Sequence, residues 1–328
     1  MKIEETILNP KSVLILGNGK LAYSVYVCVL HAGHNVQLYT ENYTEALERI
    51  NLHLTDMNKP ALEINCNDLN NIQQLNGTTE YDFIIIITTE NLAEKKSFLQ
   101  IAEQLVSSNT IIAINTESIA LSSLQQDAKT PQCIIGANWT EPAHTTLFLE
   151  IITNKTNPKN VVNEFCNFAK QTLNKDPYIV KNDFGIRTRM LCAMIREAFY
   201  LVENGYVTVE DIDRACRNDA GYYLPFAGNF RYMDLMGTFV YGIVMKDLNP
   251  ELSKDNTLPS FFKTVIQNGG EGMKNGRGIY EYQNGDTEKW DEIFRTYSYQ
   301  IQKIIQKYGS NESEEEILAT DLITSNNE

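Results

Sequence analysis

"SVLILGNGKLAYSVYVCVLHAGHNVQLYT", residues 12 to 40, decides the fold. It reads as an apolar strand (SVLILG, 12–17), a tight turn, a helix (AYSVYVCVLHAG) and a second strand (NVQLYT, 35–40). Gly17, Gly19 and Ala22 form a G-x-G-x-x-A pattern between the first strand and the helix. The first glycine permits the turn and the second lets backbone approach a pyrophosphate. The small third residue lets helix and strand pack closely. A diphosphate would sit on the free amides of the helix N-terminus. Gly17, Asn18, Gly19, Leu21 and Ala22 are therefore candidate cofactor-binding residues.

Outward from this unit, short apolar runs continue to alternate with helical patterns. FIIIIT (83–88), TIIAIN (110–115), CIIGAN (133–138) and LFLEII (147–152) read as further strands, and EALERINLHL as a helix. From about residue 183 the pattern changes to long helices with apolar spacings of three and four. RTRMLCAMIREAFYLVENG is closed by Gly205, and TVEDIDRACRND is capped by Thr208. The expectation is an α/β Rossmann-type domain with a mostly parallel sheet over 1–182, an all-helical domain over 183–308 and an acidic mobile tail over 309–328, in which EEEILATDLI is open to a short helix.

Composition excludes several function classes. A formal net charge of −14 does not supply the clustered Lys and Arg that nucleic acid requires. No apolar run approaches the roughly 20 residues of a membrane span, and the N-terminus lacks the long apolar core of a secretory signal. A cytoplasmic protein is expected. The six cysteines are scattered without a C-x-x-C pair and read as buried reduced thiols, and the four histidines lack zinc-site spacing, so no metal is expected.

The second strand ends in Thr40, followed by Glu41, where an NAD-binding fold commonly places an acid against the ribose 2′-hydroxyl. Thr40 offers no repulsion to a 2′-phosphate, so NAD is expected with NADP possible, whereas Glu41 serves as the acid if the strand runs one residue further.

Seven segments in order resemble the 3-hydroxyacyl-CoA dehydrogenase family over residues 12 to about 283: GNGKLA, AGHNVQLY, ENLAEKKSFL (90–99), AINTESI (113–119), the run from IVKNDFGIRTRM to VEDIDRA, FRYMDLMG and GRGIYEY (276–282). The resemblance implies an oxidoreductase that moves hydride between NAD(H) and a 3-hydroxyacyl-CoA. It also implies a homodimer paired through the helical domain. Glu90, Lys95 and Lys274 match family residues that contact the nicotinamide cofactor. The family's base is a histidine held by a glutamate twelve residues later. Glu150 matches that glutamate, but Asn138 stands where the histidine belongs.

An asparagine cannot accept a proton from a hydroxyl at physiological pH. Two neighbouring positions depart as well: Glu117 replaces the first serine of the family's turn, leaving Ser118, and Arg189 stands at its substrate-binding asparagine, with Arg187 two residues before. Arg189 is open to pairing with Glu117 or Glu141, or with a substrate carboxylate. His144, six residues past Asn138, is the nearby imidazole that could replace the base. Three functions follow as expectations: a weak dehydrogenase of 3-hydroxyacyl-CoA or a related 3-hydroxy acid, with His144 or water as base; a catalytically impaired dinucleotide-binding protein acting as sensor or partner subunit; and an NAD(P)-dependent reaction on a small carboxylate held by Arg189.

Overall fold

The computed structural model describes residues 9–59, 63–74 and 80–308. The acidic tail expected at 309–328, with its candidate helix, lies outside the described residues. The chain divides between Arg189 and Met190 into two compact units.

The first unit is built on an eight-stranded sheet in the order β3-β2-β1-β4-β5-β6-β7-β8. The strands are β1 (Ser12–Gly17), β2 (Asn35–Thr40), β3 (Cys66–Asp68), β4 (Phe83–Ile87), β5 (Ile111–Ile114), β6 (Ile134–Trp139), β7 (Phe148–Thr153) and β8 (Asp176–Lys181). β1 to β6 are parallel; β7 runs against β6, and β8 runs parallel to β7. The strand order reverses between β1 and β4, where such sheets open a crevice at their carboxyl ends.

Helices α1 (Gly19–His31), α2 (Tyr43–Asp56) and α5 (Lys159–Thr172) bury apolar faces against one side of the sheet; α3 (Leu92–Ala102) and α4 (Leu121–Gln125) cover the other. The central strands are apolar on both faces, as parallel strands between two helical layers must be: all five residues of FIIII in β4 are buried. Along β6, Ile135, Ala137 and Trp139 point to the α1/α2/α5 side, so Asn138 and its cross-strand neighbour Glu150 point to the side of α3 and α4.

The second unit contains most of α6 (Arg187–Glu203), then α7 (Val209–Asn218), α8 (Ala220–Met236), α9 (Thr238–Leu248), α10 (Ser260–Gln267) and α11 (Asp286–Tyr308). The expected start of α7 is seen as a capping box, in which Thr208 and Asp211 satisfy each other's backbone N–H. Gly205 closes α6 at φ +70°. Ser253 and Ser298 are the buried residues among the described ones of this unit, and no apolar side chain in it is buried. Phe230 and Phe239 are 83% and 80% exposed. Among the described residues no helix is long and apolar enough to cross a membrane. All six cysteines are unpaired, but only Cys28 and Cys66 are buried and Cys192 is exposed, because α6 leaves its own surface uncovered.

Candidate active site

The phosphate loop has the shape its glycines imply. A Cβ on Gly17 would lie 2.1 Å from the Ile87 carbonyl oxygen, since β1 and β4 are hydrogen-bonded neighbours there. Gly19 takes φ +82°, which a side chain disfavours. Ala22 is fully buried under the sheet, and Leu21 is partly buried beside the same core. The N-cap Asn18 makes no side-chain cap bond to α1, so the helix's first amides are left to a ligand. These residues fit a dinucleotide diphosphate.

Asn18 turns its side chain the other way. Its Oδ1 accepts from the Thr40 hydroxyl at 2.8 Å and from the Glu41 N–H at 2.7 Å. Thr40 is fully buried, and Tyr23 lies 3.3 Å from its hydroxyl. Thr40, a candidate cofactor residue from its place at the end of β2, instead commits its hydroxyl within the protein. Glu41 is the first exposed residue past β2.

Across the crevice, Glu90 accepts on one oxygen the backbone N–H groups of Glu117, Ser118 and Ile119 at 3.1, 2.8 and 2.9 Å, with the Ser118 hydroxyl at 3.3 Å. Its other oxygen lies 3.3 Å from Lys95. Lys95 has no exposed surface, and its ammonium also donates to the Asn115 carbonyl at 2.6 Å. Burial pushes the Lys95 ammonium down, against the pull of Glu90. Burial alone would raise the Glu90 carboxyl, but the N–H bonds of the turn and the Lys95 charge outweigh it and hold it below its ordinary value. Glu90, Lys95 and Ser118 thus form one structural clasp around the turn after β5. Lys274, in the second unit, pairs with Glu271 at 2.9 Å.

Asn138 is held at both ends of its amide. Its Oδ1 accepts the Thr116 N–H at 2.8 Å, while its Nδ2 donates to the Thr116 carbonyl at 2.8 Å and to Glu150 Oε2 at 3.0 Å. Glu150 is fully buried, and its Oε1 accepts Tyr178 Oη–H at 3.0 Å and the N–H groups of Ile186 and Arg187 at 2.7 and 3.1 Å. Burial, with the Glu150 carboxylate beside it, pushes the Tyr178 phenol up. The glutamate therefore caps the start of α6, where free amides and the helix dipole favour an anion.

Two expectations on cations and bases are corrected. Glu117 pairs with Arg187, at 2.8 Å, and with the Thr188 hydroxyl; Glu141 faces Arg49 at 3.8 Å and Ser24. Arg189 is exposed and takes part in neither pair, because successive helical residues point about 100° apart. His144 does not join Asn138. It packs edge-on against His53 of α2 at 4.5 Å, on the opposite side of the sheet, and burial pushes it down to about 3. His144 is thus a weak base on the face of the sheet opposite Asn138.

Sequence reading did not single out Tyr178, Thr116, Thr188 or Gly185. A Cβ on Gly185 would lie 2.0 Å from Glu150 Oε2, so this glycine admits the carboxylate to the helix start. The glycine was visible in the sequence, but its neighbour across the fold was not.

Residues 12–184 match the model "3-hydroxyacyl-CoA dehydrogenase, NAD binding domain", and residues 186–282 match "3-hydroxyacyl-CoA dehydrogenase, C-terminal domain". The chain is 29% identical over 205 residues to 5-formyl-3-hydroxy-2-methylpyridine 4-carboxylate 5-dehydrogenase of Mesorhizobium japonicum, covering 61% of this chain and 65% of that one. It is 25% identical to 3-hydroxyadipyl-CoA dehydrogenase of Escherichia coli, covering 84% of this chain and 60% of that one. The chain thus spans less than two thirds of the length of these curated relatives. A crystal structure of a 5-formyl-3-hydroxy-2-methylpyridine 4-carboxylic acid 5-dehydrogenase, described as an NAD+-dependent dismutase, superposes with a TM-score of 0.83 at 21% identity, covering 91% of this chain and 99% of that one.

Proposed function

Because the chain belongs to the 3-hydroxyacyl-CoA dehydrogenase family, we propose that it is an NAD-dependent oxidoreductase whose turnover of 3-hydroxyacyl-CoA substrates is weak. The observation that carries this is the Asn138 amide, engaged within the protein through its oxygen and both N–H groups and offering no basic atom to a substrate. Bound NAD would supply the hydride acceptor. The loop Gly17–Ala22 would hold its diphosphate on backbone amides, and the clasp of Glu90, Lys95 and Ser118 would keep the adjoining wall rigid. A second reading, a dinucleotide-binding sensor or partner subunit without turnover, draws support from the same engaged amide. Reduction of acetoacetyl-CoA by NADH separates the two: measurable turnover supports the first, and NADH binding by calorimetry without turnover supports the second.

The ribose contact falls to Glu41 in this reading, since Thr40 is spent on Asn18. NADH should therefore bind more tightly than NADPH. Glu41→Ala should reduce that preference by roughly 10- to 100-fold, as loss of a hydrogen bond to a charged group does. Equal binding of both cofactors by wild type in calorimetry would remove the role.

A homodimer paired through the second unit also belongs to this reading. Helix α9 exposes Phe239, Val240, Ile243, Val244, Met245 and Leu248, and a helix apolar around so much of its surface is stable in water only when covered. A second copy covers an isologous apolar face with itself. Light scattering should give a dimer at micromolar concentration, and Phe239→Glu should shift it to monomer or aggregate. A well-folded wild-type monomer would overturn the assignment.

A further inference from the structure

We infer that Arg187 recognises a carboxylate on the substrate, so that the chain acts on a small hydroxy or oxo carboxylic acid; this rests on the reading above that the Asn138–Glu150 wall is where substrate reacts. Arg187 rises from that wall. Its backbone N–H donates to Glu150 Oε1 at 3.1 Å, and the other oxygen of the same carboxylate holds Asn138 at 3.0 Å. Its side chain remains 34% exposed.

The guanidinium is only partly used. Glu117 takes Nη1 at 2.8 Å, and among the described residues no acceptor meets Nε or Nη2. The Phe148 ring lies 5.8 Å from Cζ, and the Thr188 hydroxyl engages the second oxygen of Glu117. Glu117 therefore acts as a positioning residue. It fixes the arginine by one nitrogen, and its own charge is spent on Arg187 and Thr188.

The chemistry of the open edge selects the ligand. Two parallel N–H groups match the two oxygens of a carboxylate, and this bidentate fit is what arginine offers over lysine. A thioester carbonyl presents one neutral acceptor and leaves a donor unpaired. A fork that offers two donors favours a ligand with two acceptors over one that lacks one of them. The Mesorhizobium relative is itself named for a pyridine carboxylate.

The test is a calorimetric titration of the full chain with pyridine-4-carboxylate and with its methyl ester, which differ only in the anionic group. The acid should bind at least roughly tenfold more tightly, as a charged bidentate pair implies. Arg187→Met should abolish that preference, and Arg187→Lys, which keeps the charge without the fork, should retain only part of it. Equal binding of acid and ester, no binding of the acid, or a preference that survives Arg187→Met but is lost in Arg189→Met would each overturn the inference. The titrations are run with and without NADH. Failure of the cofactor reading would appear separately, as absent NADH binding, while the acid-to-ester ratio is still measured.

Discussion

Asn138→His combined with Glu117→Ser is expected to raise the reduction of acetoacetyl-CoA by NADH by roughly 10²- to 10⁴-fold, the usual contribution of a positioned general acid or base. An imidazole at 138 can donate one N–H to Glu150 Oε2, the bond the amide makes now at 3.0 Å, and present its other nitrogen to a substrate oxygen. The glutamate that would orient it is buried and fully hydrogen-bonded, so the support for a histidine is already in place. The second change removes the carboxylate that engages Arg187 and Thr188 on the adjacent turn. Stability should fall by about 1–3 kcal/mol, because the imidazole leaves the buried N–H and C=O of Thr116 without their present partner. Steady-state kinetics decide the matter. If wild type already turns over at the rate of the double variant, the role assigned to position 138 is wrong.

The second large effect is structural. Gly185→Ala would place a methyl carbon 2.0 Å from Glu150 Oε2, closer than any real contact allows, and the carboxylate that must move is tied down by its buried hydrogen bonds. The carboxylate would have to leave the N–H groups of Ile186 and Arg187, the Tyr178 hydroxyl and the Asn138 amide. A buried charge separated from its partners costs about 3–5 kcal/mol. Thermal unfolding should show a loss of that order, and Asn138 and Arg187 would lose their common anchor. A variant as stable as wild type would mean that the segment from Asn182 to Arg187 can shift without cost.

Much of the fold was legible because its strands are long, apolar and bounded by turn residues. The run 12–40 announced strand, turn, helix and strand, and β4 to β7 fell within a residue or two of the apolar runs. Among the elements not read, three are instructive. β3 has three residues, one of them apolar, and carries no periodic signal. β8, DPYIVK, starts with an acid and a proline, and its pairing with β7 depends on a reversal that no local pattern announces. α5, KNVVNEFCNFAKQT, has the apolar spacing of a helix and could have been found. At the site, residue types were readable but partnerships were not. Arg187 and Arg189 are indistinguishable in the string, and only the start of α6 decides which one faces Glu117. Lys95 looks like an ordinary surface charge on a helix, yet it is enclosed because Glu90 and Asn115 close around it.

In the parallel pairing of β5 with β6, Ile112, Ala113 and Ile114 face Ile134, Ile135 and Gly136, always twenty-two positions apart. Thr116 and Asn138 keep that offset, and there the side-chain amide offers the backbone both an N–H and a C=O. Asn138 is in effect an extra peptide unit grafted onto the end of the ladder, lengthening the sheet by one rung where a histidine would end it. The amide at 138 therefore serves as masonry. Placing an imidazole at this position would give up that rung, so any gain in chemistry there would be set against a loss of stability.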